Sequence, residues 1–238
     1  MSKTKKMDRR ARIKKSLFPV HEGALIKRGF FCIAGVDEVG RGAWAGPLIA
    51  AAVVIRSSNF QFPIFKNLGI RDSKKLTAKK REEIYKTLCR SGRSRRISKR
   101  SFEKFGMRFF DWAIGEVAVS EINKLGLAKA GILALKRAVK NLKIKPDYLL
   151  IDAFKIPEIK IPQKSIIKGD EKVFSVALAS IIAKVTRDRI MMKLSKKYPQ
   201  YGFVRHKGYG TKMHQEALKK HGPCPEHRAS YKPIKDFL

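Results

Sequence analysis

Gly35-Val36-Asp37-Glu38-Val39-Gly40-Arg41-Gly42 is the stretch on which the reading of this chain turns. An apolar run, Phe30 to Ala34, leads into it, and a second apolar run, Leu48 to Ile55, follows. Short apolar runs rich in β-branched residues and bounded by glycine read as two buried strands joined by a tight connection. Carboxylates at the inner end of a buried strand are costly unless a cation compensates them, and a divalent metal is the simplest cation to place there. Gly40 and Gly42 let the backbone come close to a ligand that a Cβ would obstruct, and Arg41 between them is placed for a phosphate. Adjacent residues of a regular strand face opposite sides, so Asp37 and Glu38 share a site only if the strand ends or twists here, as the glycines suggest. The stretch proposes a metal-dependent enzyme acting on a phosphate backbone.

Composition narrows the partner. The chain has 238 residues and is 44% hydrophobic, enough for one large domain or a domain with an appendage. With 54 Lys and Arg against 20 Asp and Glu, its net charge of +34 calls for a polyanion. No stretch approaches the roughly 18 consecutive apolar residues of a membrane span, so nucleic acid is preferred to a membrane. Cys32, Cys89 and Cys224 are too scattered for a disulfide framework or a metal site, which fits a reducing cytoplasm. The basic start lacks the apolar core of a secretory signal. Residues 1–28 carry ten Lys and Arg against Asp8 and Glu22. They read as a basic arm that adds unspecific affinity for nucleic acid or keeps the chain soluble.

The remaining pattern alternates helices and strands. Strands are expected at 30–38 and 47–56, a helix at 78–91 with Thr77 as N-cap, and a strand near 94–102. Helical spacing is read over 111–123 and 128–142, parted by Gly126. Tyr148 to Ile151 reads as a short strand ending on Asp152, and Ser165 to Lys168 as another ending on Gly169-Asp170. A long helix over about 172–197 and a further helix near 211–221 complete the chain. Such alternation predicts an α/β sheet covered by helices.

Asp37, Glu38, Asp152 and Asp170 each end an apolar stretch beside a turn, the place where α/β sheets assemble sites. Hard oxygen donors favour Mg²⁺ or Mn²⁺ over Zn²⁺. Asp170, just before a helix, reads equally well as an N-cap. Asp188 competes for the same role, but 18 residues of helix put it on the order of 20–27 Å from Asp170. Paired catalytic ions lie only about 3.5–4 Å apart, so Asp188 is assigned to its neighbours Arg187 and Arg189 or to a packing contact. Tyr209, in His206-Lys207-Gly208-Tyr209-Gly210-Thr211, is a candidate for stacking on a sugar or base, or for closing a surface. Ser73-Lys74-Lys75 suggests a phosphate clamp, and Lys184 and Arg187 are candidates to line the same groove. His206 and His214 lack ligand companions.

Taken in order, these blocks resemble the ribonuclease HII family. The resemblance rests on Gly35 to Gly42 with the following Ala45-Gly46-Pro47, on Asp72-Ser73-Lys74-Lys75-Leu76, and on Lys168-Gly169-Asp170. It extends to Ala179 through Asp188 and to His206 through Thr211, and so spans about residues 31–222. It implies a ribonuclease-H-like fold: a mixed sheet flanked by helices, with a C-terminal helical subdomain. It divides the chain into a basic arm (1–28), a catalytic domain (29–222) and a C-terminal tail (223–238). It implies that Asp37, Glu38, Asp152 and Asp170 hold two Mg²⁺ or Mn²⁺ ions, and that Gly40-Arg41-Gly42 senses the ribose 2′-hydroxyl while Tyr209 stacks on the neighbouring deoxyribose. The related ribonuclease HIII carries Lys where this chain has Arg41. The expected substrates are RNA–DNA hybrids and duplex DNA containing ribonucleotides, cut 5′ to the ribonucleotide to leave 3′-hydroxyl and 5′-phosphate ends. A monomeric, cytoplasmic enzyme of DNA replication and ribonucleotide excision is expected. A sliding-clamp contact stays open, Pro233 to Leu238 being too short to judge.

Overall fold

The structure, a computed structural model, describes residues 20–57, 70, 76–93 and 110–238. A five-stranded sheet runs through its centre in the order β3-β2-β1-β4-β5. Its strands are β1 (Cys32–Val39), β2 (Leu48–Arg56), β3 (Phe110–Val117), β4 (Tyr148–Asp152) and β5 (Gln163–Ile166). β1 pairs antiparallel with β2 and β2 with β3, whereas β4 and β5 run parallel to β1. The sheet is therefore mixed, as expected.

Side-chain alternation divides the core in two. From β2, Ile49, Ala51, Val53 and Ile55 pack on one face, while Leu48, Ala50, Ala52 and Val54 pack on the other. The first face is covered by α5 (Phe174–Lys197) and the second by α3 (Val119–Lys140). Each buried Ile or Val of this sandwich contributes about 1.5–3 kcal/mol relative to exposure, so the two faces together hold the sheet. α5 lies against β1 because Gly35 leaves room for it. A Cβ there would sit 2.1 Å from the carbonyl carbon of Ser175. Gly115 does the same for α3, its missing Cβ falling 2.1 Å from the Ala134 oxygen.

The helix expected over 111–123 is corrected. Phe110–Val117 is strand β3, with Phe110, Trp112 and Ile114 toward one face and Ala113 and Val117 toward the other. That period of two, with aromatic and β-branched residues, outweighs the helical spacing read from Trp112 and Val117. α3 then starts at Val119 and is interrupted at Gly126, at φ 76° and ψ 161°. The expected helix over 172–197 is two pieces, α4 (Gly169–Lys172) and α5, because Val173 is extended. The strand expected near 94–102 lies outside the described residues.

α5 has no side-chain cap of its own. Glu22, from α1 (Val20–Lys27), supplies it across 153 residues of sequence, accepting from the Ser175 N–H and Oγ at 2.8 Å each. A carboxylate satisfying orphan amides at a helix N-terminus is stabilising. Glu22 is fully buried, and burial pushes its pKa up. The stretch 20–27, read with the basic arm, thus packs on the core. The end of the chain does likewise. Helix α2 (Ala78–Arg93) packs Ile84 and Leu88 on the α5 face, while α6 (Phe203–His206), α7 (Lys212–His221) and α8 (Lys232–Lys235) bury Phe203, Leu218 and Ile234 in a separate cluster. Residues beyond 222 contribute buried Arg228 and Ile234 and a bridge from His227 to Ala45.

Candidate active site

The parallel strands β1, β4 and β5 end at the same edge of the sheet, and the acids sit at those ends. Val36 is opposite Ile151, so the following residues, Asp37 and Asp152, emerge side by side. Beyond β5, Lys168 takes a left-handed turn (φ 56°, ψ 48°) that brings Asp170 into the first turn of α4, where it is fully buried. The Gly169 N–H donates to Asp152 Oδ1 at 2.7 Å, which fixes that carboxylate.

Asp37 shares its face with Gly35 and α5, and Ser180 of α5 hydrogen-bonds to it. Glu38 leaves the opposite side of the strand, as alternation requires. The conflict is resolved by position: β1 ends at Val39 and Gly40 turns at φ 99°, so the site straddles the sheet edge. Asp37, Glu38, Val39, Asp152, Ser180, Lys184, Tyr209 and Arg81 line one cleft of about 350 Å³. Burial first, then the neighbouring charges of Glu38, Asp152 and Asp170, push the Asp37 carboxyl well above its ordinary range. Glu38 is raised to about 7 by burial and Asp152, against the opposing pull of Arg41 at 3.7 Å. Oε2 of Glu38 is buried without a hydrogen-bond partner. Oxygen donors crowded together at this energetic expense are complementary to a divalent cation, and the absence of sulfur and imidazole favours a hard one.

The Gly40-Arg41-Gly42 turn flanks the acids. Gly40 must be glycine twice over: its φ is positive, and a Cβ would lie 2.3 Å from Nε of Arg187. The Arg41 side chain lies over the Phe154 ring at 4.4 Å and reaches back to Glu38. Tyr209 faces the same cleft, joined to the turn by a bridge to Ala43 and by the Trp44 N–H donating to the Gly208 oxygen at 2.8 Å.

Two expected contacts are corrected. Arg187 does not line the groove, because it is fully buried. It donates to the oxygens of Pro47 (3.0 Å), Ala45 (3.0 Å) and Lys207 (2.9 Å), and its guanidinium lies 5.4 Å from the Tyr209 ring. Asp188 pairs with Lys184 at 2.8 Å, and Arg189 pairs instead with Glu82 at 2.5 Å. Ser73 and Lys74 lie outside the described residues.

Three residues escaped the sequence reading. Ser180 is one of four hydroxyl residues on α5, and Arg81 is one cation among many on α2. Arg228 is fully buried and bonded to the Gly40 oxygen at 2.7 Å. Nothing local marks it, since its acceptors lie some 180 residues earlier in the chain.

Behind Tyr209 lies a histidine network. The Gly208 N–H donates to His206 Nδ1 at 3.2 Å, leaving Nε2–H to donate to the Tyr201 oxygen at 2.7 Å. The Cys224 N–H donates to His227 Nδ1 at 2.8 Å. The His227 Nε2–H then donates to His214 Nε2 at 3.0 Å, and His214 Nδ1–H to the Tyr209 oxygen at 3.0 Å. With the donors so assigned, each of the three rings carries one proton and is neutral. Burial, reinforced by mutual repulsion, pushes His214 and His227 down to about 4.

The ribonuclease HII family model matches residues 34–234. A ribonuclease HII of Desulfitobacterium hafniense is 43% identical over 217 residues, covering 91% of this chain and 75% of its own. The ribonuclease H2 structure from Pyrococcus horikoshii superposes with a TM-score of 0.67 at 27% identity, covering 87% of this chain and 96% of that one. The ribonuclease HII of Archaeoglobus fulgidus, solved as a complex with PCNA, gives 0.63 at 25% identity, over 84% and 95%. Bst-RNase HIII in complex with Mn²⁺ shares the fold at 0.64 and 19% identity, over 87% and 69%. A mixed sheet with acids at its parallel edge, matched to that model across most of the described residues, makes this chain a member of the ribonuclease HII family, a ribonuclease of the ribonuclease H type.

Proposed function

We propose that the chain hydrolyses the RNA strand of RNA–DNA hybrids and incises duplex DNA 5′ to an embedded ribonucleotide, leaving 3′-hydroxyl and 5′-phosphate ends. The observation that carries the reading is the meeting of Asp37, Glu38 and Asp152 in one cleft, with the Gly40-Arg41-Gly42 turn and Tyr209 on its rim. Asp170, buried beside Asp152, completes the acidic set.

The donors fit two Mg²⁺ or Mn²⁺ ions: all are carboxylate oxygens, and one of them, Glu38 Oε2, is buried with no other partner. Among the described residues no three acidic, histidine or cysteine side chains are already gathered at ligand spacing. Asp37, Glu38, Asp152 and Asp170 are the residues that would hold such ions. Ions held there would supply a lowered pKa for an attacking water and charge neutralisation at the leaving 3′-oxygen. The chain's own groups position the reaction. Ser180 holds Asp37 by a hydrogen bond and the Gly169 amide holds Asp152, so the carboxylates are pre-aimed. Lys184 and Arg81, on the wall of the cleft, face the phosphate. The 40–42 turn reads the 2′-hydroxyl with backbone groups, the one feature that separates ribose from deoxyribose. Tyr209 stacks on the adjoining sugar.

Among the described residues no helix is long and apolar enough to cross a membrane. A monomer working on cytoplasmic nucleic acid, in DNA replication and the excision of ribonucleotides, fits the net charge of +34. The test is a DNA duplex carrying one ribonucleotide, beside an all-DNA duplex, in Mg²⁺, Mn²⁺ or EDTA. A metal-dependent cut 5′ to the ribonucleotide, with the all-DNA duplex intact, is expected. Equal cutting of both, or tight binding without any cut, overturns the reading.

A further inference from the structure

We propose that Arg228 is a positioning residue for ribonucleotide recognition, its buried guanidinium holding the Gly40-Arg41-Gly42 turn by its carbonyl oxygens so that the turn's amides face the substrate. The inference rests on the reading of that turn as the 2′-hydroxyl sensor.

Arg228 is fully buried, and every partner it has is neutral. Its Nη1 donates to the oxygens of Gly40 (2.7 Å) and Arg41 (3.2 Å) and to the Tyr231 hydroxyl (2.8 Å). Nε and Nη2 donate to the Gly46 oxygen at 3.0 and 2.9 Å, and Nη2 also to Pro47 at 3.2 Å. The Tyr231 hydroxyl donates in turn to the Arg41 oxygen at 2.5 Å. One planar fork of donors thus clamps both ends of the connection between β1 and β2. The Arg228 N–H, donating to the Trp44 oxygen at 2.8 Å, fastens the clamp to the middle of the same connection.

The geometry has a chemical consequence. Among the described residues every peptide bond is trans, and in a trans peptide the N–H points away from the carbonyl. With the Gly40 and Arg41 oxygens held on the guanidinium, the N–H groups of Arg41 and Gly42 point away from it. A cation on the oxygen also polarises the peptide and strengthens its N–H as a donor. Arg228 therefore acts on the substrate through the turn, without touching it.

The full-length chain is tested as Tyr231→Phe and Arg228→Lys. Two quantities are measured: Kd for a duplex with one ribonucleotide and for its all-DNA counterpart, in EDTA, and kcat/KM for the ribonucleotide duplex in Mg²⁺. The wild type prefers the ribonucleotide. In both variants that preference falls toward unity and kcat/KM drops about tenfold, the scale of one lost hydrogen bond to a charged group. The Kd for all-DNA duplex stays within about twofold, since that affinity comes from the basic surface. If a merely structural role is all Arg228 has, thermal stability falls but the preference is kept, and the inference is overturned. Tyr231→Phe removes only one hydroxyl, so it decides the matter if Arg228→Lys does not fold. A wild type without preference overturns the sensor reading and the inference together, and the two failures are told apart by that control.

Discussion

Two clusters of buried like charge lie on either side of the Gly40 turn, and they are built in opposite ways. At the sheet edge, Asp37, Glu38, Asp152 and Asp170 crowd together, with burial and mutual repulsion holding the first two above their ordinary pKa. Behind the turn, Arg187 and Arg228 are both fully buried, and burial is the first cause of their lowered pKa. The arginines are nevertheless satisfied, because backbone oxygens of 40, 41, 45, 46, 47 and 207 accept from them. Among the acids, Glu38 keeps a buried oxygen without a hydrogen-bond partner. Carbonyl dipoles complete the cationic cluster within the protein. The anionic cluster is the one we propose to be completed by a divalent cation.

The largest effect that separates them is on activity. Asp37→Asn is expected to lower cleavage by at least about 10³-fold, on the scale of losing a group that acts only in the transition state. The same change removes a buried, repelled charge, so without metal its melting temperature rises above wild type. An active Asp37→Asn breaks the comparison. Arg187→Met is expected to do the reverse. Losing three hydrogen bonds from its guanidinium to backbone oxygens costs roughly 3 kcal/mol of stability, read from denaturant unfolding. A stable Arg187→Met means that those oxygens find other donors.

The histidine network behind Tyr209 gives a smaller, pH-dependent effect. His214 and His227 have folded pKa values of about 4, below the 6.5 of free imidazole. Unfolding takes up protons between those limits, so the network's stability is fully present above pH 6.5 and is lost as pH falls toward 4. Buried Glu22, Asp37 and Glu38 run the other way, so the difference between wild type and His227→Gln is the quantity to follow. It should shrink by on the order of 1 kcal/mol between pH 7 and 5. A constant difference across that range contradicts the neutral network. The smallest effect belongs to Lys184, whose ion pair with Asp188 is partly exposed. Lys184→Met should change stability by no more than about 0.5 kcal/mol. Its weakening of duplex binding should vanish at high salt if the lysine faces phosphate.

The sequence displayed the anionic cluster far better than the cationic one. Asp37, Glu38, Asp152 and Asp170 stand out because each ends an apolar run in a chain poor in acids, and strand ends at one edge of a sheet are a short list of places. Arg228 did not stand out, being one cation among 54, and Arg187 stood out only as a groove-lining candidate, not as a buried clamp. Most of their acceptors are main-chain oxygens about 140 to 190 residues away, and backbone acceptors leave no trace in side-chain patterns. Strand β3 was missed for a similar reason. Its alternation is blurred by Asp111, which is buried because its carboxylate accepts from the Lys143 and Ile144 amides at 2.6 and 3.2 Å. Polar residues bonded to distant backbone look like surface to a periodicity argument.

The contrast between a completed and an incomplete charge cluster is tested most directly by thermal unfolding of the wild type and Asp152→Asn in EDTA, Mg²⁺ and Mn²⁺. A melting temperature that rises with either metal in the wild type, and does not move in Asp152→Asn, is the result predicted, since a ligand stabilises the state that binds it. Equal shifts in both proteins, or none in the wild type, contradict a divalent-cation site at this sheet edge.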